Sequence, residues 1–213
     1  KDVCDIDTVV YQANDVSVGD LDGDGEFEII VKRLQTTLRS TDGSVRDNVG
    51  TGAAYSHPET IYAVLWDAYK LDGTFLWRIK GGSGIILGNS SSFAVADFDG
   101  DGCAEMMIRT CEGTVFGDGE EIGDVDGDGK IDYRTWGNLN SSSPGWVDHY
   151  NSAGPEFISV IDGKTGRELA RDNFIPRDTS ASWGDDYWKR ACSFRVGVAH
   201  LDGVEGLPSL ILG

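Results

Sequence analysis

The chain has 213 residues, which is enough for one substantial domain. Its 36 acidic residues outnumber its 18 basic residues, so the formal net charge is −18. This excess of negative charge argues against a nucleic-acid ligand and against binding to an anionic membrane. The sequence contains no run of apolar residues long enough for a transmembrane helix, so no membrane span is predicted.

Five segments place strong β-formers on both sides of a turn, and each predicts an antiparallel hairpin. They are residues 16–33, 61–80, 93–110, 156–172 and 195–213. Two stretches between them lack periodicity and are rich in turn formers. Residues 34–60 and 112–154 are therefore predicted to be insertions between the strands.

A nine-residue acidic loop occurs three times, at residues 20–28, 97–105 and 124–132. Each copy has carboxylates at positions 1, 3, 5 and 9 and glycine at positions 4 and 6. Glycine permits the sharp turn that calcium loops need, and clustered carboxylates repel one another unless a cation binds. The sequence therefore predicts several calcium ions. The candidate ligands are Asp20, Asp22, Asp24, Glu28, Asp97, Asp99, Asp101, Glu105, Asp124, Asp126, Asp128 and Asp132.

These loops do not follow the EF-hand pattern, which needs an acid at position 12 and a helix on each side. Position 12 is Val31, Ile108 and Thr135 in the three copies. An acidic, solvated turn is the alternative interpretation, because Asp-Gly is common in hairpins. Three copies with the same glycine positions favour calcium. In the last hairpin His200 replaces the first aspartate, and Asp202 alone remains of the set.

A metal-type hairpin followed by a plain hairpin makes a unit of four antiparallel strands. Without the two insertions the repeat is about 50–60 residues long, which is typical of a β-propeller blade. The sequence therefore predicts an all-β fold in which residues 1–213 form a partial propeller of about two and a half blades. Because propellers close with 4–8 blades, the remaining blades are predicted to come from the same chain or another one.

Four cysteines are present, and their spacing matches no zinc-binding template. Cys103 and Cys111 lie at the two ends of a predicted strand, too far apart for a disulfide. Both are predicted to be buried small hydrophobic residues. A bond between Cys4 and Cys192 is left open.

Six segments carry a resemblance to a known family: DVSVGDLDGDGEFEIIVK, AYKLDGTFLWRI, ADFDGDGCAE, GPEFISVIDGKTGRELA, WGDDY and VGVAHLDG. In this order they resemble the bacterial rhamnogalacturonan lyases with an eight-bladed, calcium-binding β-propeller. The resemblance implies a secreted or periplasmic enzyme that cleaves the rhamnose–galacturonate backbone of the pectin rhamnogalacturonan I by β-elimination. Calcium would then act both in the structure and at the substrate carboxylate. Millimolar calcium outside cells also suits loops of this kind.

The resemblance extends to one residue of a substrate site. Asn14 matches an asparagine that binds substrate in that family, whereas the family's partner aspartate is replaced by Leu34. A His-Tyr-Thr-Gln segment of the family is replaced by Ser90-Ser91-Ser92. The family's proton-transfer groups lie mostly in later blades, so no catalytic residue is assigned. Two functions remain: a polysaccharide lyase, of which this chain would be the N-terminal part of the propeller, or a non-catalytic calcium-stapled propeller that binds glycans or protein partners.

Overall fold

The computed structural model describes residues 9–39, 45–48, 64–82, 85, 92–133, 154–175 and 195–212. Within these ranges the regular elements are all β-strands. They are β1 (Val9–Gly19), β2 (Glu28–Arg39), β3 (Val45–Asn48), β4 (Val64–Lys70), β5 (Phe75–Lys80), β6 (Ala94–Ala96), β7 (Glu105–Cys111), β8 (Glu156–Ile161), β9 (Glu168–Asn173), β10 (Val196–Ala199) and β11 (Ser209–Leu212). A helix long and apolar enough to cross a bilayer is not found among the described residues.

The first sheet has the order β1-β2-β4-β5, and all neighbouring strands are antiparallel. Its two hairpins are the ones predicted at residues 16–33 and 61–80. Strand β2 pairs with both β1 and β4, so that Val31 faces Val16 on one side and Asp67 on the other. Both central strands carry β-branched or aromatic residues, such as Ile30 and Val31 in β2 and Val64 and Trp66 in β4, as expected for a pleated surface that is buried on at least one face.

The second sheet repeats this arrangement with the order β6-β7-β8-β9. The predicted hairpins at residues 93–110 and 156–172 are confirmed as β6–β7 and β8–β9. Strands β10 and β11 form the start of a third unit, in agreement with the prediction for residues 195–213. Two successive antiparallel sheets are therefore confirmed, each with a path of four strands, and β3 adds a fifth strand to the first.

The prediction of a loop over residues 34–60 is wrong in part. Strand β2 continues to Arg39, and β3 adds to its far end through the pairs Thr37–Asn48 and Leu38–Asp47. This part of β2 contains Gln35, Thr36 and Thr37, whose polar side chains give no hydrophobic alternation. It is a strand because its backbone pairs with β1, which periodicity does not reveal.

One continuous hydrophobic core joins the two sheets. It is built by fully buried side chains from both: Leu21, Ile30, Trp66, Ile79, Met106, Ile108 and Ile161. Trp77 of β5 also donates its indole N–H to the carbonyl of Gly163, in the β8–β9 turn, at 2.7 Å. A Cβ atom at Gly163 would lie 2.0 Å from the carbonyl oxygen of Ala104, so this close packing requires glycine.

A buried cluster of charges lies on the face of the first sheet that is turned away from this core. Asp67 is fully buried, and its two oxygens accept hydrogen bonds from Arg78 at 2.6 and 2.8 Å. Arg33 and Tyr69 donate to the same carboxylate at 3.0 and 3.1 Å. Burial raises the pKa of Asp67, but the bonds from Arg78 and Arg33 outweigh it, and the net pKa is lowered. Asp67 is therefore ionised and fixed in place.

Cys103 and Cys111 are both thiols, as predicted. The prediction that they are buried is right for Cys111 and only partly right for Cys103, which lies in the second acidic loop and is partly exposed. Cys4 and Cys192 lie outside the described residues.

Candidate metal centres and the surroundings of Asn14

The three acidic loops fold in the same way. In the first, Asp20 accepts hydrogen bonds from the backbone amides of Gly23, Asp24 and Gly25 at 2.8, 3.1 and 2.9 Å. Gly23 and Gly25 have positive φ angles of 75° and 87°, which side chains other than glycine rarely adopt. Asp97 and Asp124 hold the amides of their own loops in the same way. The backbone of each loop thus fixes its first carboxylate.

The folded loops bring acidic side chains together in three groups. In each group, one carboxylate oxygen of every member lies within 4.8 Å of the others. The groups are Asp20, Asp22 and Glu28; Asp97, Asp99 and Asp101; and Glu112, Asp124 and Asp126. Carboxylate oxygens at this spacing are the donor set that a hard cation such as calcium prefers.

The groups agree with the predicted ligands only in part. They leave out Asp24, Glu105, Asp128 and Asp132, which the loop pattern includes. They also include Glu112, which no motif singles out because it lies outside the nine-residue loop. Its signal in the sequence is a single acid at the end of a strand, and nothing connects that acid to residues 124–132 before the chain is folded.

Lys70, at the end of β4, lies against the first group. Its ammonium nitrogen is 3.2 Å from Asp22 Oδ2, 3.3 Å from Asp24 Oδ2 and 3.5 Å from Glu28 Oε1. The bonds to Asp22 and Asp24 raise the pKa of Lys70, so it remains charged. The first loop therefore has a protein cation that offsets part of its negative charge.

The second group has no such pairing with a basic side chain within the described part of the chain. Glu105, at position 9 of this loop, is almost fully buried and accepts a hydrogen bond from the amide of Phe98 at 2.8 Å. Burial raises the pKa of Glu105, and the charges of Asp99 and Asp101 add to this effect. A bound cation would relieve this crowding of negative charge.

Within the three acidic groups, two buried carboxylate oxygens, Asp22 Oδ1 and Glu112 Oε2, have no hydrogen-bond partner among the described residues. Leaving a buried acceptor unsatisfied costs about 1–3 kcal/mol, and more for a charged group. A cation coordinated by these oxygens would remove the cost. The residues of these groups therefore fit calcium.

The turn between β10 and β11 lacks the acidic set, as predicted. His200 donates its Nδ1–H to the carbonyl oxygen of Gly206 at 2.7 Å, which closes the turn through a hydrogen bond. Asp202 is exposed on this turn. Position 1 of the turn is thus a carboxylate that accepts hydrogen bonds from backbone amides in the first two sheets, and an imidazole that donates to a backbone carbonyl in the β10–β11 hairpin.

The first two acidic loops and the β10–β11 turn lie side by side. The amide of Ala104 donates to the carbonyl of Asp20 at 2.7 Å, so the second loop is bonded to the first. A Cβ atom at Gly23 would lie 2.9 Å from the sulfur of Cys103, and one at Gly100 would lie 2.8 Å from Leu207. Each turn is therefore in contact with the next.

Asn14 lies at a β-bulge. The pairing of β1 with β2 shifts between Ala13 and Asp15, so Asn14 is the extra residue, and its side chain is exposed. Bulges re-aim side chains and are common beside binding sites. Leu34 is buried in the core, two residues along β2 from the pair formed by Asp15 and Lys32. Ser90 and Ser91 lie outside the described residues.

Beside Asn14, the side chain of Lys32 is only 1% exposed, and its nitrogen is 3.8 Å from Asp15 Oδ2. Burial lowers the pKa of Lys32 to about 8; the carboxylate of Asp15 opposes this shift, and the charge of Arg195 adds to it. A buried lysine whose pKa is lowered this far is a costly feature that occurs often at functional sites.

We expect Lys32→Met to raise the free energy of unfolding at neutral pH by about 1–3 kcal/mol, because the variant no longer buries a charge. As the pH rises from about 8 to 10.5, folded wild-type protein releases this proton before the unfolded chain does. Wild-type stability therefore rises in that range, and the advantage of the variant shrinks. Urea denaturation at several pH values measures both effects.

Lys164→Met, at an exposed lysine, is the matched control and should change stability little at any pH. An advantage of Lys32→Met that stays constant from neutral pH to pH 10.5 would show that Lys32 does not titrate in this range.

Comparison with known proteins finds one family over almost the whole chain. Residues 2–213 match the model described as rhamnogalacturonan lyase family 11, C-terminal domain. In Bacillus subtilis (strain 168), the chain is 40% identical over 210 residues to the rhamnogalacturonan endolyase YesW. It is also 40% identical over 204 residues to the rhamnogalacturonan exolyase YesX. These alignments cover 97% and 95% of this chain but 28% of each relative.

Solved structures of such lyases have the same fold. The crystal structure of YesW at 1.40 Å resolution superposes with a TM-score of 0.69 at 38% identity, over 96% of this chain and 30% of that one. The rhamnogalacturonan lyase PL11 of Bacillus licheniformis gives a TM-score of 0.68 at 39% identity, over 96% of this chain and 30% of that one. The chain therefore spans less than a third of the length of these relatives.

Proposed function

The chain belongs to rhamnogalacturonan lyase family 11, and we propose that it forms part of a polysaccharide lyase that cleaves the rhamnose–galacturonate backbone of rhamnogalacturonan I by β-elimination. One observation carries this proposal: the chain is 40% identical, over nearly all its length, to both an endolyase and an exolyase for rhamnogalacturonan. The non-catalytic binding module has no comparable support.

The architecture we propose is a partial β-propeller with further blades on both sides. Two four-stranded units in succession and the beginning of a third support it. Val16 and Val18 of β1 are more than half exposed on the face opposite Gly19, which packs against the second sheet. A preceding blade would cover them, and the relatives are long enough to supply it.

The proposed reaction removes the proton at C5 of a galacturonate, next to its carboxylate, and forms a C4–C5 double bond as the bond between C4 and its oxygen breaks. The departing rhamnose keeps that oxygen, which takes up a proton. Calcium bound to that carboxylate would neutralise its charge and make the C5 proton more acidic. On this chain, the exposed amide of Asn14 offers a donor and an acceptor for sugar hydroxyl groups. No residue of the chain is assigned as the base.

The three acidic groups are proposed to bind calcium. The supporting observations are the convergent carboxylates and the buried oxygens of Asp22 and Glu112 that have no hydrogen-bond partner. Calcium would also allow a protein with a net charge of −18 to approach an acidic polysaccharide. A secreted or periplasmic location fits oxygen-ligand loops of this kind, which suit millimolar calcium.

We expect the full-length protein containing this chain to release oligosaccharides with 4,5-unsaturated galacturonate ends from rhamnogalacturonan I. Their ultraviolet absorbance should appear when calcium is present and not in excess chelator. Polygalacturonate, which lacks rhamnose, is the matched control and should give no product. Residues 1–213 alone should be inactive, because the proton-transfer groups are proposed to lie in other blades. Binding of the polysaccharide without unsaturated product at any calcium concentration would favour the binding module.

A further inference from the structure

The third acidic loop takes one carboxylate from outside its own nine residues. We propose that Glu112 occupies, in this loop, the ligand position that Glu28 has in the first, and that Asp132 is not a ligand. The inference rests on the proposal that the acidic groups bind calcium, and it changes the ligand set that the sequence pattern predicts.

The backbone contacts of Glu112 match those of the glutamates at position 9. In the first loop the amide of Leu21, at position 2, donates to Glu28 at 2.9 Å. In the second loop the amide of Phe98, also at position 2, donates to Glu105 at 2.8 Å. In the third loop the amide at position 2 is that of Val125, and it donates to Glu112 at 2.6 Å. The backbone amide at position 2 therefore donates a hydrogen bond to a glutamate side chain in all three loops.

The composition of the groups gives the same result. The first group consists of positions 1 and 3 of its loop and Glu28. The third consists of positions 1 and 3 of its loop, Asp124 and Asp126, and Glu112. Asp132, at position 9, is not a member of this group. The two groups are therefore equivalent except that the glutamate comes from after the loop in one and from before it in the other.

The carboxylate of Glu112 is buried and has one oxygen that a cation could coordinate. Glu112 is 1% exposed, and its Oε1 accepts the amides of Val125 and Asp126 at 2.6 and 3.4 Å. Its Oε2 is buried without a hydrogen-bond partner among the described residues. A buried carboxylate with one oxygen held and the other unsatisfied is an arrangement that a bound cation would complete.

The position of Glu112 also gives the site a mechanical role. Glu112 directly follows Cys111, the last residue of β7. Its backbone packs closely against Gly82, where a Cβ atom would lie 2.3 Å from the Glu112 carbonyl oxygen. An ion shared by Glu112, Asp124 and Asp126 would therefore fasten the loop at 124–132 to the second sheet. A site built from residues 124–132 alone would not.

Native mass spectrometry of the calcium-loaded protein tests the inference by counting ions. Glu112→Gln should bind one ion fewer than wild type, like the positive control Asp126→Asn, whereas Asp132→Asn should bind the full number. Terbium luminescence supplies a site-specific readout, because the Tyr133 hydroxyl is 3.3 Å from Asp126 and its ring can sensitise a nearby ion. The part of the emission that Tyr133→Phe removes should also be absent in Glu112→Gln and present in Asp132→Asn.

A full set of ions in Glu112→Gln, or the loss of one in Asp132→Asn, would overturn the inference. If Glu112→Gln does not fold, as judged by circular dichroism, the ion count of Asp132→Asn decides by itself. Wild-type protein that binds no calcium would overturn the calcium proposal itself, so the two failures are distinguishable.

Discussion

Excess chelator is expected to lower the melting temperature of the protein by on the order of 20 °C. An ion present at a hundred times its Kd stabilises the folded state by about 2.7 kcal/mol, and three groups of carboxylates are proposed to bind one each. Each kcal/mol corresponds to about 2–4 °C in a protein of this size. The loss is large because the carboxylates, held together by the folded loops, repel one another once the ions leave. Differential scanning calorimetry with calcium and with chelator measures it.

Asp99→Ala should reproduce part of this loss in the presence of calcium, because it removes one member of the second group. It should also reduce the further effect of chelator. The first loop should be the least sensitive, since the Lys70 ammonium already offsets its charge. A melting curve that does not change in excess chelator would show that the loops are acidic turns without bound ions.

Asp67→Asn is expected to cost about 3 kcal/mol of the free energy of unfolding, because it leaves two guanidinium groups beside a neutral side chain. Asp67 is fully buried, while Arg33 and Arg78 are 29% and 24% exposed. Water can therefore solvate part of both arginines, which places the cost near the lower end for a broken buried ion pair. Urea denaturation of the variant and of wild-type protein gives the difference.

The pKa of Asp67 is lowered in the folded state, so its contribution is present above the pKa of an unfolded aspartate. It is lost as the pH falls through the folded pKa, and the gap between wild type and Asp67→Asn should narrow in acid. Asp72→Asn is the control, since Asp72 is exposed in the β4–β5 turn and caps the amide of Thr74 at 2.8 Å, as asparagine also can. Equal stabilities of Asp67→Asn and Asp72→Asn would contradict the role given to the buried cluster.

The hairpins could be predicted from the sequence because their information is local. Asp-Gly turns between runs of β-formers determine where the chain reverses, and the repeated acidic loop aligns the units. The far end of β2 could not be predicted, because Gln35 to Thr37 are a strand only through pairing with β1. The family that the sequence segments resemble is the family that the comparisons find, because both depend on the same residues.

The candidate site residues also fall into two classes: those that local spacing predicts, and those that only the fold brings together. Candidate ligands within one loop follow from their spacing, as for Asp20 and Asp22. Glu112 could not be found in this way, because its role depends on how residues 113–123 return the chain to the end of β7. The burial of Lys32 and the bulge at Asn14 depend on the register between β1 and β2, which a single sequence does not specify to one residue.

The contacts between neighbouring turns have a consequence for how the protein responds to its surroundings. The second loop is bonded to the first through Ala104 and Asp20, and its Gly100 packs against Leu207 of the β10–β11 turn. A calcium ion bound in the first or second loop, as proposed, would also order the surface on which the other loop rests and would couple the two sites thermodynamically. With calcium in both loops, as proposed, occupancy would rise more steeply with calcium concentration than for independent sites. The protein would respond to ambient calcium as a threshold rather than in proportion.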